Sequence, residues 1–180
     1  MTESTFTLNQ YFNKMLSYSA LQEGNTIYTK AIENTDFKLP NKAPLEFMLW
    51  AKRDKISFGP YQNLTFFEIS NRIYSDLVLL KAAQILFKEH NIKSIQLKMS
   101  NHSGSDLIVI DKDNNEIRGE AFNTAHSFFQ IKMRSELKKF DNNTVGIIAF
   151  NECALNNKNR VFLERKKLEY PEVLFVGCEI

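Results

Sequence analysis

Only two cysteines, Cys153 and Cys178, and three histidines occur among the 180 residues. They form neither a CxxC pair nor a metal-ligand set by spacing, so they suit plain thiols in a reducing interior. Glycine-rich phosphate loops are missing as well: neither GxxxxGK[ST] nor GxGxxG occurs, and Gly59-Pro60-Tyr61 reads as a turn. No window approaches the roughly 18 consecutive apolar residues of a membrane helix. Met1 to Phe6 is polar and acidic, with no basic stretch leading into an apolar one. The expectation is a cytoplasmic protein without a membrane, whose sequons at Asn63, Asn101 and Asn142 carry no glycosylation. Strong charge of one sign is also lacking. A net charge of +2 announces no global field for nucleic acid, although local basic clusters are compatible with it. No Ser-His-Asp or Cys-His set stands out by local motif.

What the chain does have is apolar mass. At 43% hydrophobic residues, with 15 phenylalanines, it can bury a large and partly aromatic core. The length suits one domain with an N-terminal extension or arm, residues 1–63, ahead of an α/β core, residues 64–180. Leu8, Tyr11, Phe12, Met15 and Leu16 predict a short amphipathic helix within residues 1–22. Residues 23–63 hold Pro40, Pro44 and Pro60 and read as irregular, with a short helical run at Leu45–Trp50. From Leu64 the pattern sharpens. A helix capped by Asn63 or Thr65 runs to about Glu89, with Phe66, Ile69, Ile73, Leu77, Leu80 and Phe87 near one face.

Three strands are expected next, at Ile92–Met99, Asp106–Ile110 and Glu116–Phe122, the last two joined by a turn at Asp113-Asn114-Asn115. Ser127–Phe140 reads as a helix, Thr144–Asn151 as a buried strand, 156–167 as a polar stretch and Val173–Cys178 as a final strand. The fold class is α/β: a single mixed central sheet flanked by helices. Its crossover would return Thr144–Asn151 parallel to an earlier strand.

The chemistry concentrates in the hairpin. Folding it about Asn114 brings the start of its first strand beside the end of its second, so Asp106 and Glu120 fall at one end of the sheet. Two such carboxylates can share a divalent cation, which activates water and neutralises charge developing on a phosphate.

This order of elements and these acids resemble the PD-(D/E)XK nuclease superfamily. The match runs over residues 64–151, through Gly104-Ser105-Asp106 and Gly119-Glu120-Ala121-Phe122. The resemblance implies a restriction-endonuclease-like core (α-β-β-β-α-β), a Mg²⁺ or Mn²⁺ cofactor held by Asp106 and Glu120, and DNA as substrate. It implies Glu68 as an assisting acid from the first helix and a homodimer whose two sites address two strands. The family's lysine position, however, is Phe122, which can contact neither water nor phosphate. Either another lysine supplies the ammonium, with Lys98 and Lys132 the candidates, or the site is degenerate and the fold serves as a nucleic-acid- or protein-binding module.

Plainer readings stand beside each residue. Asp106 after Gly-Ser can be a turn-former, and Glu120 an exposed edge residue. Glu68 and Arg72 can be a surface pair at (i, i+4), and Lys98 and Lys132 can be merely solvated. Gln130 and Arg134, one helical turn apart, are candidate phosphate contacts, as is His126 just before their helix. His102 stands close ahead of Asp106 and invites the same reading. Arg165, Lys166 and Lys167 form a basic cluster that suits a nucleic-acid backbone or simply a solvated face. A mixed α/β protein with incidental acids is the remaining possibility.

Overall fold

The computed structural model of the chain describes residues 7–100, 104–140 and 144–180. His102 and the sequons at Asn101 and Asn142 lie outside the described residues. Thirteen α and β elements follow one another as α1 (Asn9–Phe12), α2 (Tyr18–Glu33), α3 (Pro44–Arg53), β1 (Lys55–Phe58), β2 (Tyr61–Thr65), α4 (Phe66–Glu89), β3 (Ile92–Leu97), β4 (Leu107–Asp111), β5 (Glu116–Phe122), α5 (Phe129–Leu137), β6 (Gly146–Asn151), α6 (Asn157–Glu169) and β7 (Val173–Cys178). The fold is mixed α/β. Its main sheet has the order β3-β4-β5-β6-β7, and β1-β2 form a separate two-stranded sheet. The expectation of a single sheet is thereby corrected. The strands β1 and β2, of four and five residues, turn at Gly59-Pro60; Lys55-Ile56-Ser57-Phe58 alternates, but a run that short is a weak strand signal.

The main sheet begins antiparallel, β3 with β4 and β4 with β5. It becomes parallel where α5 carries the chain across to β6, and remains so to β7. The crossover through a helix explains the change, since parallel neighbours cannot be joined by a tight turn. Asn114 takes the left-handed backbone (φ 64°) that closes the β4–β5 hairpin.

Helix α4 starts with a capping box. The Thr65 hydroxyl accepts from the Glu68 amide while the Glu68 carboxylate accepts from the Thr65 amide. It buries Ile69, Val78, Leu79, Leu80 and Leu86 against one face of the sheet, together with Leu97, Leu107 and Val109. Phe12, Leu16, Leu21, Tyr28 and Tyr61 from the first 63 residues join that same core. On the other face α5 and α6 supply Phe129, Met133, Leu137, Phe162 and Leu163, which pack on Phe122, Ile148 and Phe150.

Three local expectations are revised. The N-terminal helix is confined to Asn9–Phe12, and a second helix, Tyr18–Glu33, runs well into the stretch from residue 23 expected to be irregular. Ser17 caps that second helix by accepting from the Ala20 amide. The polar stretch at 156–167 is helix α6, capped by Asn156 and anchored through Phe162 and Leu163, while Val161 and Leu168 stay exposed. With so few buried apolar side chains it shows no stripe to read.

Candidate functional site

Antiparallel pairing sets Leu107 opposite Gly119 and Leu97 opposite Leu107. One step further along lie Lys98, just past β3, Asp106, just before β4, and Glu120 on β5. Because Leu97 and Leu107 face the α4 side, these three alternate onto the face covered by α5. Two bonds hold the row: the Lys98 amide donates to the Asp106 carbonyl at 2.8 Å, and the Ala121 amide donates to Asp106 Oδ2 at 2.9 Å. The hairpin counting that paired Asp106 with Glu120 thus corresponds to neighbouring positions at one sheet end. Gly119 lets the strands close up there, since a Cβ at that position would meet Ile147 and Leu107 at 2.8 Å.

Helix α5 lowers a second charged row onto the first. Lys132 and Glu136 on the helix and Lys139 in the turn directly after it recur at spacings of four and three and so share a side. Lys132 Nζ lies 2.5 Å from Glu136 Oε1, and Lys139 Nζ lies 2.6 Å from Glu136 Oε2. Lys139 Nζ also lies 2.6 Å from Glu120 Oε2. One ammonium therefore bridges two carboxylates whose side chains are only 6% and 3% exposed, from a side chain that is 50% exposed.

These acids and cations line a cavity of about 520 Å³, together with Glu68, Arg72, Asp76, Lys98, Ser100, Gly104, Phe122 and Asn123. Gly104 has a left-handed backbone (φ 90°), and the Lys98 ammonium lies 2.9 Å from where its Cβ would stand. That places a third ammonium over the loop leading into Asp106.

Burial raises the Asp106 carboxyl above its ordinary value; its bond from Ala121 and the charges of Lys139 and Lys132 oppose the rise. Glu120 is likewise raised, chiefly by burial and further by the Asp106 charge, with Lys139 pulling the other way. At Glu136 burial also pushes upward, but the two lysines prevail and its carboxyl is lowered. Lys139 loses solvation, yet its two carboxylate partners hold it up at about 12.

On the α4 side stands a different acid, Asp76, which is 3% exposed. It accepts from the Tyr61 hydroxyl at 2.6 Å and the Ser100 amide at 2.9 Å, and Tyr61 in turn touches the Tyr28 hydroxyl at 2.7 Å. Burial pushes Asp76 up to about 7, with the bonds from Tyr61 and Ser100 opposing. Burial likewise raises both tyrosine hydroxyls, beside the Asp76 charge. Ser100 has a left-handed backbone (φ 60°), fixed by Asp76 at its amide and by Arg72, which donates to its hydroxyl at 2.8 Å. Strain of this kind persists where surroundings over-determine it, often beside functional sites.

Of the residues singled out from sequence, Asp106, Glu120, Lys98, Lys132 and Glu68 line this cavity. Glu68 does so while exposed and engaged in its capping box, with Lys55 at 2.8 Å instead of Arg72. Lys55 and Thr65 hold its carboxyl down at about 2. Gln130 and Arg134 are elsewhere on α5: Arg134 stacks on Phe162 at 4.9 Å, and Gln130 donates to Asn159. His126 offers its backbone carbonyl to Asn159. On α6, Arg165 and Lys166 pair with Glu169, and Lys167 pairs with Glu164. None of these six lines the cavity.

Phe122 packs against Phe129 and Phe150 at centroid distances of 5.9 and 6.2 Å, so its ring serves the core. The residues sequence reasoning passed over are Asp76, Glu136 and Lys139. Asp76 was detectable as an acid interrupting the apolar row Ile69, Ile73, Leu80. Glu136 and Lys139 were visible only as a charged row beside the apolar stripe of their helix.

The donor set can be compared with what a divalent cation requires. Among the described residues no three of the His, Cys, Asp and Glu side chains form a ready-made metal cage. Two hard carboxylate oxygens beside an open polar cavity do suit Mg²⁺, which keeps several waters and takes further oxygens from a substrate phosphate. No helix among the described residues is long and apolar enough to cross a membrane. No protein-family model, curated protein or solved structure matches the chain.

Proposed function

We propose that the chain is a Mg²⁺-dependent DNA endonuclease built on a restriction-endonuclease-like core. The observation that carries this reading is the pairing of Asp106 and Glu120 across β4 and β5, both carboxyls raised by burial, in a cavity walled by Lys98, Lys132 and Lys139. Two acids at neighbouring positions, each raised by desolvation, favour a cation between them. The order α4-β3-β4-β5-α5-β6 is the order of that core, with β7 added at its edge.

Asp106 and Glu120 would hold the metal, which supplies Lewis-acid stabilisation of the phosphate and a more acidic bound water. The remaining work belongs to the protein's own cations. Lys98 and Lys132 approach from β3 and α5, so a phosphate entering the cavity meets an ammonium on either side. The missing lysine at position 122 is then no obstacle, because positive charge reaches the site from other elements. Asn123, just past β5, accepts from the Asn151 side-chain amide through its side-chain oxygen and offers its own amide N–H groups to the substrate. Two copies acting together would address the two strands of a duplex.

A second reading has a specific observation behind it. Four cations of the cavity, Arg72, Lys98, Lys132 and Lys139, nearly offset its five acids, Glu68, Asp76, Asp106, Glu120 and Glu136, as they would in a site that has lost its metal and become a binding module. Cleavage separates the two. Purified protein should cut plasmid or single-stranded DNA with Mg²⁺ or Mn²⁺, and Glu120→Ala should abolish cutting. Absence of cutting on both substrates in both metals favours the binding module.

A further inference from the structure

We propose that Lys139 is a displaceable internal counter-ion: it holds Glu120 until a divalent cation takes its place, and so sets how readily metal enters the cavity. This rests on the reading of Asp106 and Glu120 as the metal pair. The geometry points to it in three ways. First, the Lys139 ammonium already occupies a cation position, 2.6 Å from Glu120 Oε2. A metal bound by that oxygen must compete with it, since both draw on the same lone pairs.

Second, the exposure is one-sided. Glu120 and Glu136 have side chains 6% and 3% exposed, fixed on a strand and a helix, while Lys139 is 50% exposed and lies beyond the last residue of α5. The lysine can swing on its flexible stem whereas the acids cannot follow.

Third, Glu136 offers a resting place. Its Oε2 remains 2.6 Å from the ammonium, so Lys139 can release Glu120 without becoming an unpaired charge. Lys132 occupies the other oxygen of Glu136 and keeps that carboxylate ionised in place. The arrangement thus has two states, lysine on both acids or lysine on Glu136 alone with metal on Glu120. A ligand that prefers the second state shifts the balance toward it.

The test is a titration with Mn²⁺ alone, following free ion by electron paramagnetic resonance, on wild type and variants of matched thermal stability. Lys139→Met should bind Mn²⁺ about tenfold more tightly, in the usual range of coupling between linked sites. Lys139→Arg, which retains the charge, should stay at or below wild-type affinity. Lys132→Met should shift affinity by no more than about threefold, because that half-exposed ammonium touches Glu136 and bears on Asp106 less than Lys139 does. Asp106→Asn should weaken binding in both the wild-type and the Lys139→Met backgrounds. Equal affinity in wild type and Lys139→Met, with Asp106→Asn still weakening both, overturns the counter-ion and leaves the metal pair standing. Equal tightening by Lys132→Met overturns it too, reducing the effect to general charge. Failure of wild type and Lys139→Met alike to bind Mn²⁺ removes the metal pair itself.

Discussion

The two faces of the sheet treat buried acids in opposite ways. On the α4 side Asp76 is met by uncharged donors, the Tyr61 hydroxyl and the Ser100 amide. On the α5 side Glu120 and Glu136 are met by ammonium groups carried on half-exposed stems. Asp76 lines the same cavity and feels the charges of Arg72 and Asp106, but its hydrogen-bond donors are fixed in the core, and burial pushes its carboxyl up to about 7. Cations reached from solvent can be traded for another cation. Carboxylates buried to nearly the same degree thus meet fixed neutral donors on one face and ammonium groups on solvent-reaching stems on the other.

The largest effect should come from breaking the exchangeable face. Glu120→Gln or Asp106→Asn should lower metal-dependent DNA cleavage by about a thousandfold, on the scale of losing a metal ligand. Melting temperature should barely move, since a raised buried carboxylate is being replaced by a neutral isostere. A large fall in melting temperature alongside would instead make these acids structural.

The α4 face should show itself in pH dependence. Unfolded, Asp76 releases its proton near 3.8; folded, it does so only at about 7. Between those values the native state holds a proton that the unfolded state has lost, so stability falls as pH rises through the window and levels off above it. The contribution is at most roughly 4 kcal/mol, from three pKa units. Thermal melts of Asp76→Asn across this range should lose that slope, and a retained slope would assign it elsewhere.

Smaller again is Tyr61→Phe, which takes one donor from Asp76 and leaves the Tyr28 hydroxyl without that neighbour. Urea unfolding should report a loss of about 2 kcal/mol, the usual cost of an unmet buried polar group. Least is Glu68→Ala, expected to cost about 1 kcal/mol through the cap of α4. Cleavage should survive that change if Glu68 serves its helix; a collapse of cleavage without loss of stability would restore it as an assisting acid.

The same contrast explains what could be read from sequence. Helices α4 and α5 announce themselves because apolar residues recur near one face, and the strands from β3 to β6 as short apolar runs bounded by polar turns, continuous in β4 and β6. The hairpin acids were legible for that reason: alternation and a turn at Asn114 place Asp106 and Glu120 without further knowledge. Helix α6 was not, with only Phe162 and Leu163 buried among its apolar side chains. Lys139 was hidden differently. It follows the last turn of α5, and its meeting with Glu120 depends on how that helix crosses β5, a tertiary fact no periodicity encodes. Asp76 gains its partners from Tyr61 and Ser100, 15 and 24 residues away in the chain.

The most direct test of the metal pair is where Mn²⁺ settles, read by paramagnetic broadening of backbone amide resonances. The acids at the opposite sheet end, Asp111, Asp113 and Glu172, line a separate cavity of about 260 Å³ and serve as an internal control. The account predicts that the amides of Leu107, Glu120 and Ala121 broaden first, at the lowest Mn²⁺, and that Asp106→Asn suppresses this. Broadening centred on Asp111, Asp113 and Glu172, or none that selects a site, would contradict it.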